Sequence, residues 1–186
     1  MTTDLGTRPA GLAMSLRNLY YVRFGFAAAW AALVVATGAT LGPAATALLI
    51  LYPLFDVAAA VVDFRASTEN RAALAVNMAL SLLAATGLAF AAASGLPAVL
   101  RVWGAWAITA GIVQLIVAIR RRRLGGQWPQ ILSGALSTIA GTGFLLQAGT
   151  DAASLTGPAG YATLGGLFFL ASAIRLHRAS TRDDRT

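Results

Sequence analysis

Asp56–Arg65 reads DVAAAVVDFR, Gly111–Arg120 reads GIVQLIVAIR, and Gly166–Arg175 reads GLFFLASAIR, and the three align without a gap. Each carries an apolar run to an arginine, and the arginines are equally spaced: 120 − 65 = 55 and 175 − 120 = 55. A fixed period of this kind marks one supersecondary unit written several times. The first halves of the units diverge more, yet the small residues Ala31, Thr86 and Gly141 still fall at the same offset of 55.

Composition says what medium the unit is built for. Of 186 residues, 58% are hydrophobic and only 11% charged, with a mean hydropathy of +0.70. Soluble domains carry roughly 25% charged residues, so this chain falls in the membrane class. The hydrocarbon core of a bilayer, ~30 Å thick, takes about 20 apolar residues per helix. Six stretches qualify: Leu19–Ala39, Ala44–Phe64, Ala72–Ala93, Val99–Ile119, Ile131–Ala148 and Ala159–Leu176. None has the one-sided polar face of a surface helix or the alternation of a strand. Spanning helices follow, because backbone groups in lipid must be satisfied within their own segment. The first apolar run is longer than the ~7–15 residues of a signal-peptide core, and it reads as a retained span.

The breaks between the spans are of two kinds. Those at Gly42-Pro43, Gly95-Leu96-Pro97 and Gly149–Gly160 hold almost no charge. The others are basic: Arg8 and Arg17 before the first span, Arg65 and Arg71 after the second, Arg120–Arg123 after the fourth, and Arg175, Arg178, Arg182 and Arg185 at the end. The positive-inside rule then places both termini and both basic loops in the cytoplasm. The expected fold is all-α: a polytopic membrane protein of six helices, arranged as three parallel helical-hairpin repeats of about 55 residues. The hairpins fall at about 18–66, 72–121 and 128–176. Residues 1–17 form a cytoplasmic N-terminal segment and 177–186 a cytoplasmic tail. Small residues, as in Gly38-xxx-Gly42 and the Gly134/Gly141 pair, let helices approach closely where lipid removes the hydrophobic drive.

Several functions are excluded by missing parts. Cysteine is absent, and so is lysine, since all fourteen basic residues are arginines. Thiolate chemistry, Schiff bases and Walker-type phosphate lysines therefore have no residue to use. The lone histidine, His177, sits among arginines in the tail, and carboxylates do not cluster across helices. No catalytic residue, metal site or cofactor is expected, and the chain reads as no enzyme. The net charge of +7 resides at helix ends, where a membrane protein needs it, so nucleic acid is not an expected partner.

Charged groups inside the spans are the remaining candidates. Asp56 lies nine residues before Arg65, about 13 Å of helix rise from the basic end. A carboxylate at that depth costs several kcal/mol unless it is protonated, hydrated or paired. Two readings stay open: a proton or ligand site with Gln114 and Asn77, or a hydrogen-bonded tie between helices. The copies of this position in the other two repeats are Gly111 and Gly166, so the repeat itself does not require a carboxylate there. Asp63, closer to the interface, is expected to pair with Arg23. Arg120, Arg121, Arg122 and Arg123, with Trp128 beyond them, form a patch suited to anionic lipid at the cytoplasmic face. Arg101 reads as a residue that snorkels to headgroups. A homo-oligomer built on small-residue faces is a further possible association.

The segment Ala118–Ala148, AIRRRRLGGQWPQILSGALSTIAGTGFLLQA, joins a basic helix end, a Gly-x-Trp and a glycine-containing helix. With the hairpin repeats ending in arginine, it resembles the HdeD-like acid-resistance membrane proteins, from about Asn18 to Arg175. The resemblance implies a multi-pass protein of the bacterial cytoplasmic membrane, linked to acid stress in some members. It supplies no catalytic residue to carry over. The expectation is a non-enzymatic stress-related membrane protein acting through helix packing, oligomerisation or lipid contact; the alternative is a small transporter or proton-conducting channel using Asp56.

Overall fold

A computed structural model describes residues 7–37, 40–66, 71–120 and 128–183. Among them every regular element is helical: α1 (Thr7–Ala36), α2 (Pro43–Ala66), α3 (Arg71–Ala93), α4 (Leu96–Arg120), α5 (Trp128–Gln147) and α6 (Thr156–Asp183). Five of the six are long and apolar enough to cross a membrane, and they mark a multi-pass membrane protein. The exception is α5, which does not reach that apolarity over its 20 residues. It carries Gln130, Ser133, Ser137, Thr138 and Thr142; two of these hydroxyls bond within the helix and a third bonds α6. Thr138 donates to the Gly134 carbonyl, Thr142 to the Thr138 carbonyl, and Ser137 accepts from Tyr161.

Two helices outrun the apolar stretches. α1 begins at Thr7, well before Leu19, and α6 continues to Asp183, past Leu176. A helix satisfies its own backbone in any medium, so it can continue where the side chains turn polar. Residues 7–17 and 177–183, expected as a segment and a tail, are therefore helical extensions. At this end Arg17 Nη1 donates to His177 Nδ1 at 3.3 Å, tying α1 to α6.

The helices form a ring. The tightest pairings are α4 with α5, α1 with α6, and α2 with α3; α3 and α4 come next, while α1–α2 and α5–α6 touch only loosely. The α3–α4 connection is two residues long, and its Gly95 has φ of +94°, a backbone state that costs a side chain but not a glycine. At α4–α5 the backbones themselves meet. A Cβ on Gly141 would lie 2.6 Å from the Gly104 carbonyl oxygen, and one on Gly111 would lie 2.7 Å from that of Gly134.

Inside the ring is an aromatic cluster. Trp30 stacks on Trp103 with centroids 5.3 Å apart, Trp106 meets Trp103 edge-on at 5.5 Å, and Tyr52 packs on both tryptophans of α4. Such pairs are the favoured aromatic geometries. Outside, large apolar side chains point away from the protein: Phe90 is 74% exposed and Leu146 71%. An apolar exterior around a packed interior fits a lipid solvent.

Candidate functional site

Asp56 sits in α2 one turn after Pro53, the proline inside that helix. A proline removes one intrahelical hydrogen bond and releases a carbonyl, which a neighbouring helix must help to satisfy. Close to that break, Trp30 Nε1 donates to the Leu48 carbonyl at 2.6 Å and holds α1 against α2. The contact fixes which face of α1 looks at Asp56.

Three side chains then converge on the carboxylate. Arg23 of α1 forms an ion pair with Oδ1. From α3, Asn77 Nδ2 donates to Oδ2 at 2.7 Å and the Ser81 hydroxyl donates to the same oxygen at 2.9 Å. Asn77 and Ser81 are four residues apart, hence one above the other on one helix face. Trp106 Nε1 of α4 in turn donates to Ser81 Oγ at 3.2 Å, which commits the serine's hydrogen to Asp56. From α6, the Phe169 ring lies under the Arg23 guanidinium, 4.2 Å from its centroid. Five helices thus meet around one carboxylate.

The site is largely dry. The Arg23 and Asp56 side chains are 18% and 13% exposed. Beside them is a cavity of about 30 Å³ bounded also by Phe26, Tyr52 and Phe55. That is room for about one water molecule. A carboxylate has about four lone-pair positions, and three donors already occupy Asp56. A carboxylate in hydrocarbon is tolerable when it is paired and most of its lone pairs are filled, and here three of about four are. The arrangement is that of a carboxyl group clamped between helices. Among the described residues no group of three potential metal ligands occurs.

The candidates from sequence divide accordingly. Asp56 and Asn77 come together. Gln114, on α4, makes no hydrogen bond to them among the described residues. Arg23, expected to pair with Asp63, forms its ion pair with Asp56, and among the described residues no ion pair to Asp63 is present. Asp63 is two turns further along α2, and the Trp30–Leu48 contact sets α1 at the level of Asp56 instead. Arg120 and Arg101 are exposed and Trp128 is 78% exposed, while Arg121, Arg122 and Arg123 lie outside the described residues. Ser81, Trp106 and Phe169 were not anticipated. The sequence does hold one hint of Trp106, an aromatic with a polar hydrogen 55 residues on at Tyr161, whose hydroxyl donates to Ser137 Oγ at 2.9 Å, one residue out of register with Ser81.

The positions one and two periods after Asp56 lie at comparable seams. A Cβ on Gly111 would also crowd Ser137 and Thr138 of α5, and one on Gly166 would lie 3.1 Å from Ala27 Cβ of α1. Asp56 faces α3, Gly111 faces α5 and Gly166 faces α1. At one seam a carboxylate stands where the other two have no side chain.

Residues 76–146, less than half of the chain, match the model of a family described as a short repeat of unknown function, DUF308. It is the domain family of HdeD-like proteins, and the match runs from α3 through α4 into α5. No curated protein and no solved structure matches the chain.

Proposed function

We propose that this chain is a non-enzymatic protein of the bacterial cytoplasmic membrane, related to acid or general stress, that works through its helix packing and its lipid contacts. In this reading α5 spans the bilayer with the other five helices, both ends are cytoplasmic, and the three hairpin units surround a pseudo-threefold axis. The tight α2–α3, α4–α5 and α6–α1 seams support the threefold arrangement, since a step of two helices turns each into the next. The bonds from Trp106 to Ser81 and from Tyr161 to Ser137 support it again: the donors are 55 residues apart and the acceptors 56, so similar bonds recur one residue out of exact register. The stress role rests on the family resemblance and the matching repeat.

One observation carries the choice of a packing role over transport: the intramembrane carboxylate is held by three donors, Arg23, Asn77 and Ser81. A proton path needs a group that can be reached and released. Here the cavity beside it holds about one water. That small cavity is also the observation that favours the second reading, a proton-conducting channel using Asp56. Proteoliposomes with a trapped pH dye decide between them. Under an imposed acid gradient, wild type and Asp56→Asn should both show negligible flux. Rapid acidification in wild type, abolished in Asp56→Asn, would establish the channel instead. The stress role is checked separately by expression in an acid-sensitive bacterial host, where survival after acid challenge should rise.

A further inference from the structure

α5 and α6 touch loosely, and where they part there is a groove of about 410 Å³. Its walls are Leu132 and Pro129 of α5 with Phe168 and Ala171 of α6. Its mouth is formed by Trp128, the first residue of α5, and Arg175. The volume falls within the ~300–1,000 Å³ of small-molecule sites. Phe168 to Arg175 is seven residues, or about 10 Å of helix rise. One leaflet of a ~30 Å hydrocarbon core is about 15 Å deep, so the groove runs most of the way through a single leaflet. Trp128 belongs at the headgroup level, where tryptophan rings anchor membrane proteins. The guanidinium of Arg175 therefore stands where a lipid phosphate would lie.

We propose that this groove seats one acyl chain of an anionic phospholipid, with the lipid phosphate held by Arg175. Charge complementarity selects the occupant. Arg175 and Arg178 are both exposed on α6 at this end, and Arg120 closes α4 at the same end. A guanidinium presents paired donors that match a phosphate. The shape matches as well: an apolar slot that opens sideways to lipid and has its cation only at the mouth suits a chain with one charged end. The inference rests on the membrane reading alone and not on the Arg23–Asp56 cluster.

Tryptophan quenching in liposomes tests it. Trp30, Trp103 and Trp106 are at most 9% exposed, so Trp128 reports on lipid at the groove, and a Trp128→Phe variant gives the background. Phosphatidylglycerol brominated on its acyl chain should quench Trp128 at a concentration about fivefold lower than brominated phosphatidylcholine, the equivalent of ~1 kcal/mol for a basic residue near an anionic headgroup. Arg175→Gln should erase the preference, and Ala171→Phe, which fills the slot, should lower quenching by both lipids. Retained far-ultraviolet dichroism shows that these variants still fold. Equal quenching by the two lipids, unchanged in Arg175→Gln, overturns the proposal. So does a dimer in native mass spectrometry that Ala171→Phe dissociates, because the occupant is then a second copy of the chain.

Discussion

Replacing Asp56 with alanine leaves Arg23 without its counter-ion in a site where neither side chain is more than 18% exposed. Removing one member of a buried pair costs about 3–5 kcal/mol. Two features pull towards the lower end: the residual exposure, and the Phe169 ring, which still attracts the guanidinium by about 1 kcal/mol. Asn77 also loses its acceptor, which adds about 1 kcal/mol, whereas Ser81 keeps Trp106. The expected loss is about 3–4 kcal/mol. Arg23→Met should cost about as much, because it leaves the carboxylate exposed to the same dry surroundings. The double variant removes both charges and should cost no more than either single one, since an apolar replacement of a buried pair is often neutral. Unfolding in mixed dodecyl maltoside and dodecyl sulfate micelles, followed by far-ultraviolet dichroism, yields the four free energies of the cycle. A coupling of at least about 2 kcal/mol is expected. Costs that add within about 0.5 kcal/mol would refute the reasoning, because the two residues would then act independently.

The same assay checks the packing. Gly141→Ala places a methyl 2.6 Å from the Gly104 carbonyl oxygen and should cost about 1–3 kcal/mol by parting α4 from α5, while Gly143→Ala, with nothing within 4 Å, should be neutral or slightly stabilising. Trp106→Phe should cost about 1 kcal/mol more than Trp103→Phe, because Trp106 Nε1 bonds Ser81 whereas the buried Trp103 Nε1 has no partner among the described residues. Gly95→Ala, at φ of +94°, should cost about 1–2 kcal/mol and loosen the α3–α4 turn, which limited proteolysis at Ser94–Gly95 would report as faster cleavage.

Apolarity along the chain was enough to locate all six helices, because a span is a one-dimensional property. It failed where helix and apolar segment part company. α1 and α6 run on as polar helix, and α5 is polar enough to fall outside the membrane-spanning composition. The partner of Arg23 was out of reach for a different reason. Sequence gives depth along one helix, so Asp63 and Asp56 are both admissible; the choice depends on how α1 slides and turns against α2. That is set by the Trp30–Leu48 bond and by the stacking of Phe26 on Phe55, centroids 3.7 Å apart. Asn77 was legible because an amide in a span must be satisfied somewhere. Ser81 was not, because a serine can always bond its own helix.

The seams explain why one of them is polar. Where α4 meets α5, glycine on both sides brings carbonyls within reach of the opposite backbone, and the only polar side chains beside Gly111 are the short hydroxyls of Ser137 and Thr138, each bonded within the described residues. The same position on α2 carries Asp56, whose volume alone forbids such an approach. The gap this opens is filled by groups that can answer a negative charge: Arg23, Asn77 and Ser81, with Trp106 behind. The Asp56 seam is held instead by side-chain bonds from α1 and α3 to one carboxylate on α2, so a single substitution at Asp56 removes all of them at once.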